Sequence, residues 1–405
     1  MDIIVIGGGA SGMMAAGTAA KNGHTVTLIE KNEILGKKVL ITGKGRCNIT
    51  NACDDVETLI NNVTKNKSFL YSAFYTFTNA DTIKFFNDMG LETKVERGER
   101  VFPVSDKSSD IVDALKKYMK NNGVKVIRET VTDIIVEDNK VKGVKIVGGK
   151  ILYADKVIVA TGGASYQRTG STGDGYRWAE SLGHTVVKPV PSLVPLKVQE
   201  DISGLEGLSL KNVAIKVMDG KKKIYEDFGE MMFAHFGLTG PVILSASAHT
   251  RPMEDGKYKI YLDLKPALDE KKLDERILRD FSQNINRDFR NSLGDLLPQR
   301  LIDTIIKLSE IDPFKKVNSI TKEERRRLVS LIKNMEFTVV DYCPIEQAII
   351  TSGGISVKEI DSSTMMSKIV ENLYFTGEII DVDAYTGGFN LQIAFSTGYL
   401  AGISV

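Results

Sequence analysis

A glycine-rich segment near the amino terminus has the residue types and the spacing of a loop that binds the phosphates of a dinucleotide. Gly7, Gly9 and Gly12 fit the pattern G-x-G-x-x-G. In such a loop the first glycine permits a tight turn, the second lets pyrophosphate approach the backbone, and the third allows a helix to pack closely on a strand. Free N–H groups at the start of the following helix attract phosphate. The residues assigned to this site are Gly7, Gly9, Ala10, Ser11 and Gly12.

The elements on either side of the loop fit this interpretation. Residues 2–6 predict a buried parallel strand, residues 10–22 a helix that ends at a glycine, and residues 25–30 a second strand. Glu30 ends that second strand, 18 residues after Gly12. Its carboxylate can accept hydrogen bonds from a ribose hydroxyl, and its charge would repel a 2′-phosphate. The alternative is an ordinary β-α-β turn without a ligand, and the loop alone leaves NAD and FAD open.

The distribution of glycine along the chain favours FAD. The chain has 405 residues and 36 glycines, and twenty of these glycines lie in the windows 7–12, 36–45, 162–183 and 353–402. A long bound flavin needs close approach of the backbone at several points, whereas a nicotinamide carrier held only at the first loop does not. We therefore expect the windows 7–12, 36–45 and the last one to contact the cofactor.

The last window contains a second helix start that could face a flavin. Gly387 and Gly388 precede a predicted helix over residues 390–401. The N-terminus of that helix can direct N–H groups at the N1/O2 edge of the ring, where reduced flavin carries negative charge. The small residues at four-residue spacing predict tight packing on a strand; they are Ala394, Gly398 and Gly402. The alternative is a buried helix without ligand contact.

Three sequence blocks extend these signals over essentially the whole chain. They are residues 36–51 (GKKVLITGKGRCNITN), residues 160–176 (ATGGASYQRTGSTGDGY) and residues 376–392 (TGEIIDVDAYTGGFNLQ). Together they resemble a bacterial family of FAD-binding flavoproteins that includes aminoacetone oxidases and the BaiN-like enoyl reductases of bile-acid and steroid metabolism. The departures are Gln167, where proline is expected, and Phe389, where tyrosine is frequent.

The resemblance implies non-covalently bound FAD, with NADH or NADPH as a transient reductant. It implies that Glu30 and Lys31 contact the adenosine ribose and that the backbone of Val131 meets adenine. Glu378 matches the acid that holds the ribityl chain, and Asp381 is a second candidate. The residues implied to line the flavin are Gly45, Arg46, Cys47, Asn48, Gly388, Phe389, Asn390, Leu391 and Gln392. The remaining cofactor-binding candidates are Thr161, Gly162 and Gly377.

Candidate catalytic residues are few. Tyr166 follows the turn at residues 160–163 and could donate a proton to a substrate. His235, in the segment FAHFGLTGP, could form part of a wall over the flavin, and a structural histidine is the favoured alternative. Cys47 and Cys53 lack the C-x-x-C spacing of a redox disulfide, so an inert thiol is favoured. The histidines lack ligand spacing, and we expect no metal site; they are His24, His184, His235 and His249.

Composition excludes several classes of protein. Lys plus Arg is 53 and Asp plus Glu is 52, so the formal net charge of +1 gives no electrostatic footprint for nucleic acid and does not suggest a binder of anionic membranes. Three cysteines fit a reducing compartment. Residues 1–20 lack the basic region of a signal peptide, and no run of about 20 residues is apolar enough to span a bilayer. We expect a cytoplasmic protein that acts on a small molecule.

The predicted fold is α/β: a Rossmann-like FAD-binding domain of the two-dinucleotide-binding type, interrupted by an inserted β-rich plus helical domain. The predicted boundaries are 1–190 for the first part of the FAD-binding domain, 191–266 for the β-rich insert, 267–342 for the helical insert and 343–405 for the second part. Residues 188–195, which contain three prolines, predict an extended interdomain linker.

The sequence therefore predicts an FAD-dependent oxidoreductase. The favoured reaction is NAD(P)H-dependent reduction of a C=C bond conjugated to a carbonyl in a small hydrophobic substrate, of the bile-acid or steroid enone type. An oxygen-dependent amine oxidase of the aminoacetone type is the first alternative. A flavin-binding protein without catalytic activity is the second alternative. Both reactions come from the family resemblance.

Overall fold

The computed structural model describes residues 1–283 and 285–405. It divides into two compact units, one formed by Met1–Ser192 with Pro344–Val405 and the other by Leu193–Cys343. In chain order, strands β1 to β21 are Asp2–Ile6, Thr25–Glu30, Thr50–Asn51, Val63–Lys65, Thr93–Glu96, Arg100–Pro103, Lys125–Arg128, Val131–Glu137, Lys140–Ile146, Ile151–Tyr153, Lys156–Val159, Val186–Ser192, Leu196–Val198, Ser209–Asp219, Lys222–Ala234, Gly237–Thr239, Tyr258–Asp263, Met335–Tyr342, Ile350–Ile355, Leu373–Phe375 and Asp383–Ala384. Helices α1 to α12 are Ala10–Lys21, Lys37–Ile41, Val56–Asn61, Tyr71–Thr76, Asn79–Asp88, Ser108–Asn121, Asp174–Ser181, Pro241–Ser247, Glu270–Ser282, Gln299–Ser309, Lys322–Lys333 and Phe389–Ser404.

The first unit is built on a parallel sheet with the strand order β20-β11-β1-β2-β7. Its central strands are buried on both faces and read as continuous apolar runs, as parallel strands covered by helices do. Ile6 pairs with Val159 on one side and with Ile29 on the other, and Val159 pairs with Phe375. The predicted β-α-β unit is present as β1, α1 and β2. The carboxyl ends of the strands therefore meet at one edge, where the following segments lie: residues 7–9, 31–32, 160–163 and 376–378.

Helices α1 and α12 pack closely against each other, and the small residues predicted to face a strand lie at this contact. A Cβ atom on Gly398 would come within 2.4 Å of the carbonyl oxygen of Ser11, and a Cβ on Gly402 would come within 2.7 Å of Thr18 Cβ. The predicted partner was wrong, because the stripe on α12 faces a helix. The predicted helix itself is present, and it is longer at both ends than expected, from Phe389 to Ser404.

The second unit contains a closed antiparallel barrel with the strand order β13-β16-β15-β14-β17-β18. Helices α9, α10 and α11 precede the last barrel strand in the chain. That strand, Met335–Tyr342, lies in the segment predicted to be helical and pairs with both β13 and β17. A division of the insert at residue 266 was therefore wrong, because residues on both sides of that point form one barrel.

The proline-rich segment at residues 188–195 is only partly a linker. Residues 186–192 form β12, which pairs antiparallel with β19, and the register shifts between Val187 and Val190. Proline lacks the N–H that a ladder requires and is tolerated on edge strands and at bulges. Both strands of a two-stranded sheet are edge strands, and the register shift marks a bulge, so the prolines are compatible with a strand here. Within the described residues, no helix combines the length and the apolar character needed to cross a membrane.

Candidate cofactor site

The loop after β1 has the backbone that the glycine pattern predicts. Gly7 has a φ of +105°, and a Cβ there would lie 2.5 Å from the carbonyl oxygen of Ala160. A Cβ on Gly12 would lie 1.9 Å from the carbonyl oxygen of Gly7, so neither position tolerates a side chain. Apart from its own chain neighbours, no described residue has an atom within 4 Å of a Cβ built on Gly9, which precedes α1. The loop thus presents open backbone at the start of α1.

Glu30 is fixed at the end of β2 by three hydrogen bonds. The backbone N–H of Gly8 donates to one carboxylate oxygen over 2.7 Å, and the backbone and side-chain N–H groups of Asn32 donate to the other oxygen, each over 2.7 Å. Only 8% of Glu30 is exposed. Sequence reasoning did not single out Asn32, although an amide two residues after an acid can bond that acid. Lys31, which the resemblance implies to contact the adenosine ribose, bonds Thr172 and Asp174 through its ammonium group.

The loop at residues 42–48 has an irregular backbone. Gly43, Lys44, Gly45 and Cys47 all have φ values between +58° and +85°. Cys47 is buried, and burial raises the pKa of its thiol to about 12. All three cysteines are free thiols.

The side chain of Arg46 has its partners on one hairpin. Its guanidinium carbon lies 4.2 Å from the centre of the Phe102 ring, and its N–H groups donate to Asp106 and Glu96. Cation–π contact and two carboxylates hold it on the β5–β6 hairpin. A contact of residue 46 with the flavin stays a prediction and would come from its backbone.

Buried polar atoms without a protein partner mark the same region. Among the described residues these atoms include Asn48 Oδ1, Thr161 Oγ1 and Thr376 Oγ1. Each lies in one of the three sequence blocks, and two of them lie in the segments that follow β11 and β20. Buried polar groups usually have hydrogen-bond partners, so these atoms fit a ligand that offers hydroxyl and amide groups. Together with the open backbone at Gly9, they fit FAD.

Glu378 is at the centre of a polar cluster. Lys38 Nζ lies 2.6 Å from Glu378 Oε2 and 2.9 Å from Oε1. The backbone N–H of Thr351 and the hydroxyl of Ser165 donate to Oε1 over 2.8 and 3.1 Å. Sequence reasoning did not single out Lys38, Ser165 or Thr351, although Lys38 and Ser165 lie in recognised blocks.

Asp381, the second candidate for the ribityl chain, has charged and polar neighbours within the protein. It is only 3% exposed, and Lys65 Nζ lies 2.7 Å from its Oδ1. The side-chain amide of Asn66 donates to its other carboxylate oxygen and to its backbone carbonyl. These contacts direct its carboxylate to β4 and the residue that follows it.

The start of α12 is shaped by a glycine and by the side chain of Asn390. Gly388 has a φ of +99°, and a Cβ there would lie 2.3 Å from the carbonyl oxygen of Thr50. Asn390 bonds the backbone of Ala384 and Tyr385 through both ends of its amide. Its side chain thus shapes the preceding loop. Phe389 is buried and Leu391 half-buried.

The side-chain amide of Gln392 is fully hydrogen-bonded. Its Oε1 accepts hydrogen bonds from Thr50 over 2.6 Å and from Thr82 over 2.8 Å. Its Nε2 donates to the carbonyl of Phe77 and to Ser396. The amide has two acceptor sites and two donors, and all four are used. Its side chain therefore ties α12 to β3, to α5 and to the end of α4, and its place against the flavin ring stays a prediction.

The remaining candidates lie in different parts of the fold. Val131 opens β8 and is buried. Tyr166 has a φ of +50° and its carbonyl accepts from Thr169. His235 belongs to the second unit, where its ring packs edge-on against Phe236 and borders a cleft of about 230 Å³. The catalytic roles of Tyr166 and His235 stay predictions.

Comparison with known proteins identifies the class and the family. A parallel sheet with this loop after its first strand is a Rossmann-like fold that binds a dinucleotide, and its relatives show that the protein is an FAD-dependent oxidoreductase. Within that class, the chain belongs to the family described as HI0933-like protein Rossmann domain, whose model matches residues 1–404. The predicted fold class and family are confirmed.

Several relatives match nearly the whole chain, and two of them are described here. A 3-dehydro-bile acid delta(4,6)-reductase of Clostridium scindens is 31% identical over 409 residues, covering 98% of this chain and 97% of the relative. A ribosomal RNA dihydrouridine synthase of Haemophilus influenzae is 32% identical over 408 residues, covering 99% and 98%. Among solved structures, a 3-ketosteroid-delta4-(5alpha)-dehydrogenase from Rhodococcus jostii matches with a TM-score of 0.54 and 13% identity over 100% of this chain and 96% of its own. At that identity the structure shows a shared fold.

Proposed function

We propose that this oxidoreductase uses NADH or NADPH to reduce a C=C bond conjugated to a carbonyl, in a small and largely apolar substrate. The observation that carries the proposal is the whole-length similarity to the two relatives, whose names describe one type of reaction. A delta(4,6) unsaturation beside a 3-dehydro group is a conjugated enone system. The 5,6 double bond of uracil, which is saturated in dihydrouridine, is likewise conjugated to a ring carbonyl.

The residues of the chain would bind and orient the reactants. When bound, FAD supplies two-electron chemistry, accepting hydride from the nicotinamide and giving hydride to the β-carbon of the substrate. Gly9 and the first turn of α1 would hold the pyrophosphate, Glu30 the adenosine ribose and Glu378 the ribityl chain. The N-terminal N–H groups of α12 would stabilise negative charge at the ring edge. A proton from Tyr166, His235 or water would then reach the α-carbon, which balances the reduction.

Charge supports a small neutral substrate over nucleic acid. The first unit has 28 Lys and Arg residues against 28 Asp and Glu, and the second has 25 against 24. Nucleic-acid binding draws on clustered positive charge, and neither unit has an excess of it. The three thiols are free, and we place the protein in the reducing cytoplasm as part of this proposal.

A uracil base in RNA is the second candidate substrate. The Haemophilus influenzae relative favours it, because that relative is as similar to this chain as the bile-acid reductase is. The chemistry at the double bond would be the same, so the two candidates differ in how the substrate is recognised.

An anaerobic experiment tests the reaction. The holoprotein is mixed with NADH or NADPH, and bleaching of the flavin absorbance is followed; a steroid enone, a uridine-containing ribosomal RNA fragment or oxygen is then added. We expect bleaching by a nicotinamide and rapid reoxidation by the enone. Failure of both nicotinamides to bleach the flavin would exclude the reductase. Bleaching by aminoacetone, with peroxide on aeration, would support an amine oxidase, and reoxidation by RNA alone would move the substrate to the uracil base.

A further inference from the structure

The side chain of Lys38 makes two kinds of contact in the cluster around Glu378. Its ammonium bonds both carboxylate oxygens of Glu378, over 2.6 and 2.9 Å, and also bonds the hydroxyl of Ser165 over 2.8 Å. The Lys38 and Glu378 side chains are 26% and 20% exposed. Charge-assisted hydrogen bonds of this length are stronger than neutral ones, and partial burial protects them from screening. The adjacent Lys37 is exposed, although it belongs to the same short helix.

The surroundings of Glu378 leave it little freedom to move. Thr351 Oγ1 accepts from the backbone N–H groups of Ala164 and Ser165, over 2.8 and 2.9 Å. A Cβ on Gly163 would lie 2.5 Å from Thr351 Oγ1 and 3.1 Å from Glu378 Oε1, so the backbone there closes on the cluster. Residues 163–165 thus form a wall against one side of the carboxylate.

The two oxygens of Glu378 are used unequally. Oε1 accepts from Lys38, Ser165 and Thr351, which exceeds the two lone pairs of one oxygen. Within the described residues, Oε2 pairs with Lys38 alone. One acceptor site therefore remains on Oε2, and it suits a hydroxyl donor such as a ribityl group.

We propose that Lys38 is a positioning residue of the FAD site, which holds Glu378 so that Oε2 can accept a hydrogen bond from the cofactor and balances its negative charge. The proposal rests on the proposed function in taking Glu378 as a contact of FAD. Without Lys38 the carboxylate loses its strongest partner and retains an unbalanced charge. FAD would then bind more weakly, and the reduction potential of the bound flavin would fall, because reduction adds negative charge near an uncompensated carboxylate.

The first test compares Lys38→Met with Lys37→Met, a matched change at the neighbouring exposed lysine. Apoprotein is titrated with FAD while flavin fluorescence is followed, and the midpoint potential of the bound flavin is measured. We expect FAD affinity to fall about tenfold in Lys38→Met, the loss typical of a hydrogen bond to a charged group. The midpoint potential falls in the same variant, and Lys37→Met matches the wild type. Lys38→Arg restores part of the affinity. Equal values for the two methionine variants would overturn the proposal.

A second test asks whether Lys38 acts through Glu378. The substitution Lys38→Met is added to Glu378→Ala, and we expect little further loss of FAD affinity, because the lysine has no carboxylate left to hold. A merely structural role for Lys38 would give additive losses, and that result would contradict the proposal. If Lys38→Met does not fold, Ser165→Ala removes two neighbouring hydrogen bonds of the same cluster, one to Lys38 and one to Glu378, and a loss of FAD affinity of about threefold is expected.

These measurements separate the two proposals. A wild-type protein that binds no FAD would remove the proposed function and leave nothing for Lys38 to position. A wild-type protein that binds FAD, with unchanged affinity and potential in Lys38→Met, would contradict only the role of Lys38.

Discussion

Glu30 and Glu378, two of the carboxylates predicted to contact the cofactor, are both held by hydrogen bonds, but their partners differ in charge. Within the described residues, Glu30 accepts only from neutral groups, the backbone of Gly8 and the two N–H groups of Asn32. Glu378 accepts from the ammonium of Lys38 as well as from neutral donors. The adenosine end, defined by Glu30 and Asn32, therefore keeps its negative charge. The flavin end, defined by Lys38, Glu378 and the loop 42–48, has its carboxylate balanced.

The difference matches what each end is proposed to bind. An unbalanced carboxylate favours ribose hydroxyls and repels phosphate, which suits recognition of adenosine. A balanced carboxylate can bond a sugar hydroxyl without opposing the negative charge that a flavin gains on reduction. Three predictions test the two ends and the phosphate position between them, and a fourth concerns a residue outside both; they follow in order of the size of the expected effect.

The largest effect concerns Cys47 in the loop of the flavin end. With a pKa of about 12, its thiolate fraction at pH 8 is roughly a thousandfold lower than that of an ordinary thiol. We expect alkylation of Cys47 to be at least about a thousandfold slower than that of glutathione under the same conditions. Site-resolved mass spectrometry measures the rate, and Cys53→Ser removes the half-buried thiol that would otherwise react first. Labelling of Cys47 within a factor of about ten of glutathione would show that the loop is open.

The second prediction concerns the pyrophosphate position between the two ends. Gly9→Val should lower FAD affinity by more than about a hundredfold, because the side chain would occupy the backbone surface that the phosphates must approach. The thermal stability of the apoprotein should change little, since no described residue apart from its own chain neighbours has an atom within 4 Å of a Cβ at this position. Retention of flavin through purification of this variant would contradict the assignment of the loop.

The third prediction separates the two ends directly. Asn32→Ala removes the hydrogen bond that the side-chain amide of Asn32 donates to Glu30, and it should weaken FAD binding about tenfold. FMN lacks adenosine, so its affinity should be unchanged in this variant. Lys38→Met, at the flavin end, should weaken FAD and FMN alike. Equal loss of FMN affinity in Asn32→Ala would show that the two ends are not independent.

The smallest effect comes from His184, which lies at neither end. Ser367 bonds its Nε2 over 2.7 Å, the carbonyl of Ala179 lies 3.2 Å from its Nδ1, and burial lowers the pKa of the imidazole. Between this lowered pKa and pH 6.5 the unfolded chain therefore binds more protons than the folded one. The contribution of His184 to the free energy of unfolding is complete above pH 6.5 and falls as the pH drops towards the folded-state pKa. We expect a slope of at most about 1.4 kcal/mol per pH unit.

Urea unfolding of wild type and His184→Gln at several pH values measures the contribution of His184. The variant should lack this component of the pH dependence, while its FAD affinity stays that of the wild type. An identical pH profile for the two proteins would show that His184 is not held neutral by the fold.

Much of the fold of the first unit could be predicted from local sequence patterns. The β-α-β unit, the left-handed glycine at residue 7 and the helix after Gly388 all follow from short stretches of sequence, because strand period, helix ends and glycine turns are set by neighbouring residues. The barrel was less accessible, since β18 is separated from its partner β13 by more than a hundred residues.

Side-chain partners were the least predictable part of the site. Gln392 bonds Thr50 and Thr82, which lie 342 and 310 positions away in the chain, and Lys38 bonds Glu378 across 340 positions. A motif indicates which residues gather at the sheet edge, but it does not indicate which polar atoms satisfy one another there. The partners of Arg46 and Asp381 were not predicted for the same reason, because they come from the β5–β6 hairpin and from the region of β4.

The interrupted first unit has a consequence for how the protein is made. Strand β20 and helix α12 belong to Pro344–Val405, yet they pair with β11 and pack on α1 from the first part of the chain. During synthesis, the ribosome must therefore complete the entire second unit before these partners emerge. Domains tend to fold as units from the amino terminus. The first 192 residues must wait for their missing strand and for Glu378, so the cradle for the cofactor is finished only after the second unit has been synthesised.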